Sequence, residues 1–133
     1  MKSLHSSKAM ARTTIGTPYY MSPEIFKNQP YGAKSDVWAL GCVLYELATG
    51  GDHNFNAHNV KALGDRVKHG KAKELPRHFS KEIKTLYHKL MEKTPNLRPD
   101  LVCMHFSEHQ LAYIVILSFS CNVSVTCIIN III

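Results

Sequence analysis

Ser35-Asp36-Val37-Trp38-Ala39-Leu40-Gly41-Cys42-Val43-Leu44-Tyr45-Glu46-Leu47-Ala48-Thr49, followed by Gly50-Gly51, is the stretch that decides the fold class. Ser35 is a capping residue type and Asp36 suits the positive end of a helix dipole. The paired glycines are a stop signal, so one helix is predicted over 35–49. Between Asp36 and Glu46 every residue is apolar or Gly, with Val37, Trp38, Leu40, Val43 and Leu44 spread round the wheel. Such a helix has no polar face to offer to water and needs cover on all sides. At about 1.5–3 kcal/mol per large apolar side chain buried, it is the hub of a larger body.

The segments on either side read as shorter elements. Residues 15–20, Ile15-Gly16-Thr17-Pro18-Tyr19-Tyr20, form a loop, because Gly16 permits unusual backbone angles and Pro18 keeps Thr17 out of the helical region. Ser22-Pro23-Glu24 starts a short helix, with Ser22 as cap, Pro23 in the first turn and Glu24 on the positive dipole end. Asn56 is the expected cap of a surface helix carrying Val60, Leu63 and Val67, weakened by Gly64 and stopped by Gly70. Ser80 caps another, in which Ile83, Leu86, Tyr87, Leu90 and Met91 share one face and Pro95 makes the end. Residues 15–99 are thus all helix and loop, between a polar start (1–14) and an apolar tail (100–133).

Three motifs along this stretch resemble one family. Thr14-Ile15-Gly16-Thr17-Pro18-Tyr19-Tyr20-Met21-Ser22-Pro23-Glu24 is similar to the end of a protein-kinase activation segment, with Ser22 in the place of the usual Ala. Ser35 to Cys42 resembles the central buried helix of the kinase C-terminal lobe, and Leu97-Arg98-Pro99 resembles the Arg-Pro after a later helix of that lobe. The wording GTPYYMSPE followed by PYGAKSDVWALGCVLYELA most resembles the NIMA-related (Nek) serine/threonine kinases. The resemblance implies a mainly α fold, a partial kinase C-lobe of activation segment plus about four helices with an apolar C-terminal tail.

The same resemblance implies roles for particular residues. Glu24 pairs with Arg98 and ties the activation segment to the lobe, while Asp36 accepts backbone hydrogen bonds from a catalytic loop that this sequence does not contain. Val43 and Leu47 support the apolar column leading to the nucleotide base, and Trp38 is core. Thr13 stands at the activating phosphothreonine, with Thr14 the lesser phosphorylation site, and Thr17 matches the substrate-facing threonine. For a generic loop threonine the plain reading is a solvated side chain.

Phosphoryl transfer needs positioned phosphates, metal ions and a residue orienting the nucleophile. In kinases a Gly-rich loop, a strand Lys, a His-Arg-Asp loop with Asn, and Asp-Phe-Gly supply them. None of these strings occurs in the 133 residues, so no catalytic, nucleotide-binding or metal residue is assigned here. ATP and Mg are expected of a full-length parent, with protein substrates or regulators as its partners. The expected function is therefore that of a Nek-like kinase fragment, inactive alone. The alternative is a non-catalytic interaction module, tail-anchored to a membrane.

Composition narrows the remaining classes. The chain is 45% hydrophobic and 20% charged, near the globular average, and its formal charge is +6. Residues 61–84 hold eight Lys/Arg and three Asp/Glu, but no aromatic interleaving supports base stacking, so a solvated helix face is expected rather than a nucleic-acid patch. Cysteines 42, 103, 121 and 127 show neither a CxxC pair nor finger spacing with the eight histidines; His53 and His58, or His105 and His109, lack further ligands. The opening MKSLHSSKAMARTT has no apolar run and is not a secretory signal, which points to a cytoplasmic, reducing setting.

Residues 111–133 contain 17 apolar and six polar residues and no charge. As a helix they would span ~35 Å, long enough for a bilayer. Against an anchor, residues 118–126 alternate with a strand period, and no Lys or Arg lies between Arg98 and the end. Three readings of the tail stay open: translated non-coding or mis-spliced sequence, a membrane anchor, and an edge strand.

Overall fold

A computed structural model describes residues 18–100. Four helices occur in that span: α1 (Pro23–Phe26), α2 (Ala33–Thr49), α3 (Val60–His69) and α4 (Lys81–Leu90). A 3₁₀ turn, Pro95–Leu97, follows, and the described residues contain no strand. The tail segment 111–133 lies outside them. No helix among the described residues is long and apolar enough to cross a membrane.

The long apolar helix α2 is the centre of the packing. It lies against α4 and the 3₁₀ turn, while α1 packs on α3. Val37, Trp38, Leu40, Leu44, Tyr45 and Leu47 of α2 join Leu63 and Val67 of α3 and Ile83, Tyr87 and Leu90 of α4 in one buried cluster. Phe55, Leu75 and Phe79 fill it from the connecting segments. The cover on α2 is not complete: Asp36, Ala39, Val43 and Glu46, at helical spacing, form a half-buried stripe.

Several local starts differ from the sequence expectation, each for a physical reason. α2 begins two residues before Ser35, with Gly32 at the cap position. Ser35 N–H closes the first turn on Gly32 O at 2.8 Å, and the Ser35 hydroxyl accepts from Gly32 N–H at 3.5 Å while donating to Glu24. α3 is capped by Asn59, whose side chain accepts from Ala62 N–H at 2.8 Å, and not by Asn56. Asn56 is engaged in the preceding loop, donating to Asp52 Oδ1 at 3.2 Å and accepting from Arg66 through its carbonyl. Ser22 does occupy the cap position of α1, but its hydroxyl makes no capping bond.

At the other end, α2 stops where Gly50 turns left-handed at φ 74° and Gly51 follows at φ 110°, angles that a side chain would oppose. α4 keeps its Ser80 cap, with Oγ accepting from Ile83 N–H at 3.4 Å. It ends at Leu90, however, well before Pro95, which opens the 3₁₀ turn instead of stopping the helix. Val60 is 44% exposed, so the buried seam of α3 is Leu63, Gly64 and Val67.

Two glycines give space where helices meet. A Cβ at Gly64 would stand 2.8 Å from the Phe26 ring, so the residue that lowers helix propensity is what lets α1 lie on α3. A Cβ at Gly41 would meet Met91 Sδ at 2.6 Å and Leu90 Cβ at 3.0 Å, at the crossing of α2 and α4. Gly41→Ala gains ~1 kcal/mol of helix propensity but overpacks the crossing, at a cost of about 1–3 kcal/mol. A net lowering of the urea midpoint is expected; an unchanged or raised midpoint would show that Met91 and Leu90 yield without penalty.

Candidate functional site

Arg98, directly after the 3₁₀ turn, has one of the least accessible side chains among the described residues, at 2% relative exposure. A guanidinium cannot lose its proton at neutral pH, so every N–H placed inside the protein needs an acceptor. All five find one. Nη1 donates to Glu24 Oε1 and Nη2 to Glu24 Oε2, both at 2.8 Å. The remaining three go to main-chain carbonyls: Nε to Glu92 at 2.7 Å, Nη1 to Lys34 at 2.6 Å and Nη2 to Lys93 at 3.3 Å.

Glu24 sits on α1, 5% exposed, and its Oε1 also accepts from the Ser35 hydroxyl at 2.8 Å. Burial pushes its carboxyl upward, but the Arg98 fork, the backbone and the Ser35 and Ser22 hydroxyls together outweigh that and hold it at about 2. The pair therefore stays ionised at neutral pH. Lys34 adds an outer tie, donating to Arg98 O at 2.5 Å and pairing with Asp100 at 2.6 Å. The site joins α1, the start of α2 and the segment after α4 through one charge pair.

Trp38 is fully buried beneath this cluster, with the Arg98 guanidinium 5.1 Å from its ring centroid and Phe55 stacked on it at 6.0 Å. Lys93 reaches over the same two rings, 5.6 Å from Trp38 and 4.8 Å from Phe55, and donates to Val67 O in the last turn of α3. Burial, helped by the Lys27 charge, pushes Lys93 down to about 8. Lys34 drew no notice in the sequence and Ser35 only as a cap, because their parts here depend on where remote segments meet. Asn54 was likewise passed over. It is 2% exposed, with Nδ2 3.5 Å from both Cys42 Sγ and Met91 Sδ. Burial raises the Cys42 thiol to about 12, so it is no nucleophile at neutral pH.

The other residues singled out in the sequence fall elsewhere. Asp36 is half-buried at the first turn of α2, where it accepts from the Tyr31 hydroxyl. Leu47 is buried in the core cluster and Val43 half-buried against it. Thr13, Thr14 and Thr17 lie outside the described residues. At the entry to α1, Tyr19 stacks on His53 with centroids 3.8 Å apart, and the Tyr20 hydroxyl donates to Glu46.

Among the described residues no three His, Cys, Asp or Glu side chains converge on a cation position. The geometry positions one chain segment against another.

Comparison with known proteins agrees with this architecture. The family model described as "Protein kinase domain" matches residues 1–112, and the chain belongs to that family. It is Nek-like: it is 49% identical over 92 residues to the serine/threonine-protein kinase Nek4 of Mus musculus, covering 69% of this chain and 12% of that protein. Nek1 of Mus musculus is 47% identical over 98 residues, covering 74% of this chain and 8% of the relative. Nek5 of Homo sapiens is 43% identical over 98 residues, covering 74% and 14%. The chain thus spans about a tenth of the length of these relatives. Residues 18–100 are part of a kinase C-lobe.

The lowered Glu24 pKa has a defined pH consequence. Stability from the ionised pair is complete above the unfolded value of about 4.5 and is lost as pH falls from there toward 2. The loss is of order 3 kcal/mol. Glu24→Gln is expected to lower stability at pH 7 and to flatten this acid limb, as read by urea unfolding from pH 7 to pH 2. Arg98→Lys keeps the charge but not the fork, and is expected to cost most of the ~3–5 kcal/mol of a broken buried pair. A wild-type acid limb in Glu24→Gln would remove Glu24 from this role.

Proposed function

We propose that this chain contributes the substrate-facing half of a Nek-like serine/threonine kinase C-lobe. The full-length kinase transfers the γ-phosphate of ATP to Ser/Thr hydroxyls of proteins. The observation that carries the reading is the Glu24–Arg98 fork with all five guanidinium donors paired, which anchors α1 and the Pro18–Ser22 segment entering it to the lobe. A rigid anchor at this point lets the preceding segment present a hydroxyl at fixed distance to a catalytic base, and phosphoryl transfer is chiefly positioning and charge stabilisation.

On this reading Thr13 is the activating phosphorylation site, Thr14 the lesser one, and Thr17 faces the substrate. ATP and Mg are held by the parts of the kinase whose motifs these 133 residues do not contain. Protein substrates and regulators of the parent are the partners, in a cytoplasmic setting.

A chimaera tests this directly. Residues 11–99 of this chain are exchanged for the matched residues of mouse Nek4, and phosphate incorporation into a generic Ser/Thr substrate is followed. Activity within about tenfold of the unaltered kinase is expected. Arg98→Ala in the chimaera should reduce it by a further ~100-fold through loss of segment positioning. The 133-residue chain alone should incorporate no phosphate and show no thermal shift with Mg-ATP. An inactive but folded chimaera, or turnover by the chain alone, would overturn the proposal.

A further inference from the structure

The Pro18–Met21 segment is held from two sides of different strength. On one side it runs into α1, locked by Arg98. On the other, the Tyr20 hydroxyl donates to the Glu46 carboxylate near the end of α2, and the Tyr20 side chain is 42% exposed. His53 supports the contact: Tyr19 stacks on it with planes 14° apart, and the Tyr20 ring meets it edge-on at 6.4 Å. The Tyr20–Glu46 contact spans 26 residues and so joins two elements. The similar contact of Tyr31, 66% exposed, with Asp36 spans five residues and only closes its own turn.

A phenol on a carboxylate is attractive because it is a neutral donor. A phosphate ester at the same oxygen has no phenolic proton to give, carries about −1.5 to −2 charges at neutral pH, and faces a carboxylate across the contact it replaces. Attraction becomes repulsion between two anions. We propose that Tyr20 is a phosphorylation site for a tyrosine kinase, and that its modification unlatches Pro18–Met21 from α2 while Arg98 keeps α1 in place.

In the step, the Tyr20 phenolic oxygen attacks the γ-phosphorus of ATP, and the bond from that phosphorus to the β,γ-bridging oxygen breaks. ADP leaves and the phenolic proton passes to the base of the modifying enzyme. The inference goes beyond the kinase reading and does not depend on this chain having catalytic activity, since every residue of the latch is within the described structure.

The full chain is incubated with Mg-ATP and a purified broad-specificity protein tyrosine kinase, and phosphate is mapped over its six tyrosines by mass spectrometry. Hydrogen exchange is then read at the Met21 amide, which bonds Pro18 O at 3.3 Å. Phosphate on Tyr20 is expected, with exchange at Met21 faster by ~10-fold or more. In Glu46→Gln, which keeps an acceptor but removes the charge, the same phosphate should speed exchange by less than ~3-fold. Absence of label on Tyr20 under conditions that label Tyr31, unchanged exchange after labelling, or an equal rise in Glu46→Gln would each overturn the proposal. Should Glu46→Gln fail to fold, Tyr20→Phe serves. It should exchange faster than wild type and show no further rise after kinase treatment, and a further rise would assign the effect to another tyrosine.

Discussion

A guanidinium shut away from water imposes a counting rule: five N–H groups, five acceptors, or a penalty of several kcal/mol. Arg98 meets the rule only because Glu24, Lys34, Glu92 and Lys93 bring their oxygens to one point. Those residues lie on α1, at the start of α2 and after α4, so satisfying one side chain fixes the relative placement of three parts of the lobe. The Ser35 hydroxyl and the Lys34 ammonium are drawn in by the same requirement, one completing the Glu24 carboxylate and the other covering Arg98 O. The geometry also accounts for the ionisation, since a carboxylate so bonded cannot take up a proton until strongly acid pH.

Around this charge pair the packing is apolar and centred on α2. Trp38 links the two regimes: its ring carries the Arg98 guanidinium on one side of the core and meets Phe55 in the stacked cluster. The half-buried stripe Asp36, Ala39, Val43 and Glu46 is the one face of α2 that the described residues do not close. Both of its acids are met by tyrosine hydroxyls from the loops, Tyr31 and Tyr20, so the carboxylates are bonded although the apolar residues between them are only partly covered. The lobe is therefore tied at Arg98 by a buried fork and along this stripe by hydroxyls of exposed tyrosines.

Periodicity and capping chemistry made much of the helical layout legible before any coordinates. The Gly50-Gly51 stop, the Ser80 cap and the apolar faces of α2 and α4 are local properties, and the backbone follows them. The errors were at starts and stops where a side chain has a remote partner. Ser35 reads as the cap in isolation but stands at the third helical position, where its hydroxyl accepts from Gly32 N–H and also donates to Glu24. Asn56 and Asn59 are chemically alike, and only the loop contact of Asn56 with Asp52 decides which of them caps α3. Gly64 looks like a defect until Phe26 is seen lying over it.

The amino-acid order by itself determined that the described residues are helical, that α2 is their hub, and which family the chain resembles, because these rest on spacing along the chain. The distances at Arg98, the three carbonyls that complete it, the buried Asn54 and the Tyr20–Glu46 latch were decided only by the tertiary structure. Each joins residues far apart in sequence, and hydrogen bonding acts over about 3 Å of space, whatever the number of residues between the partners.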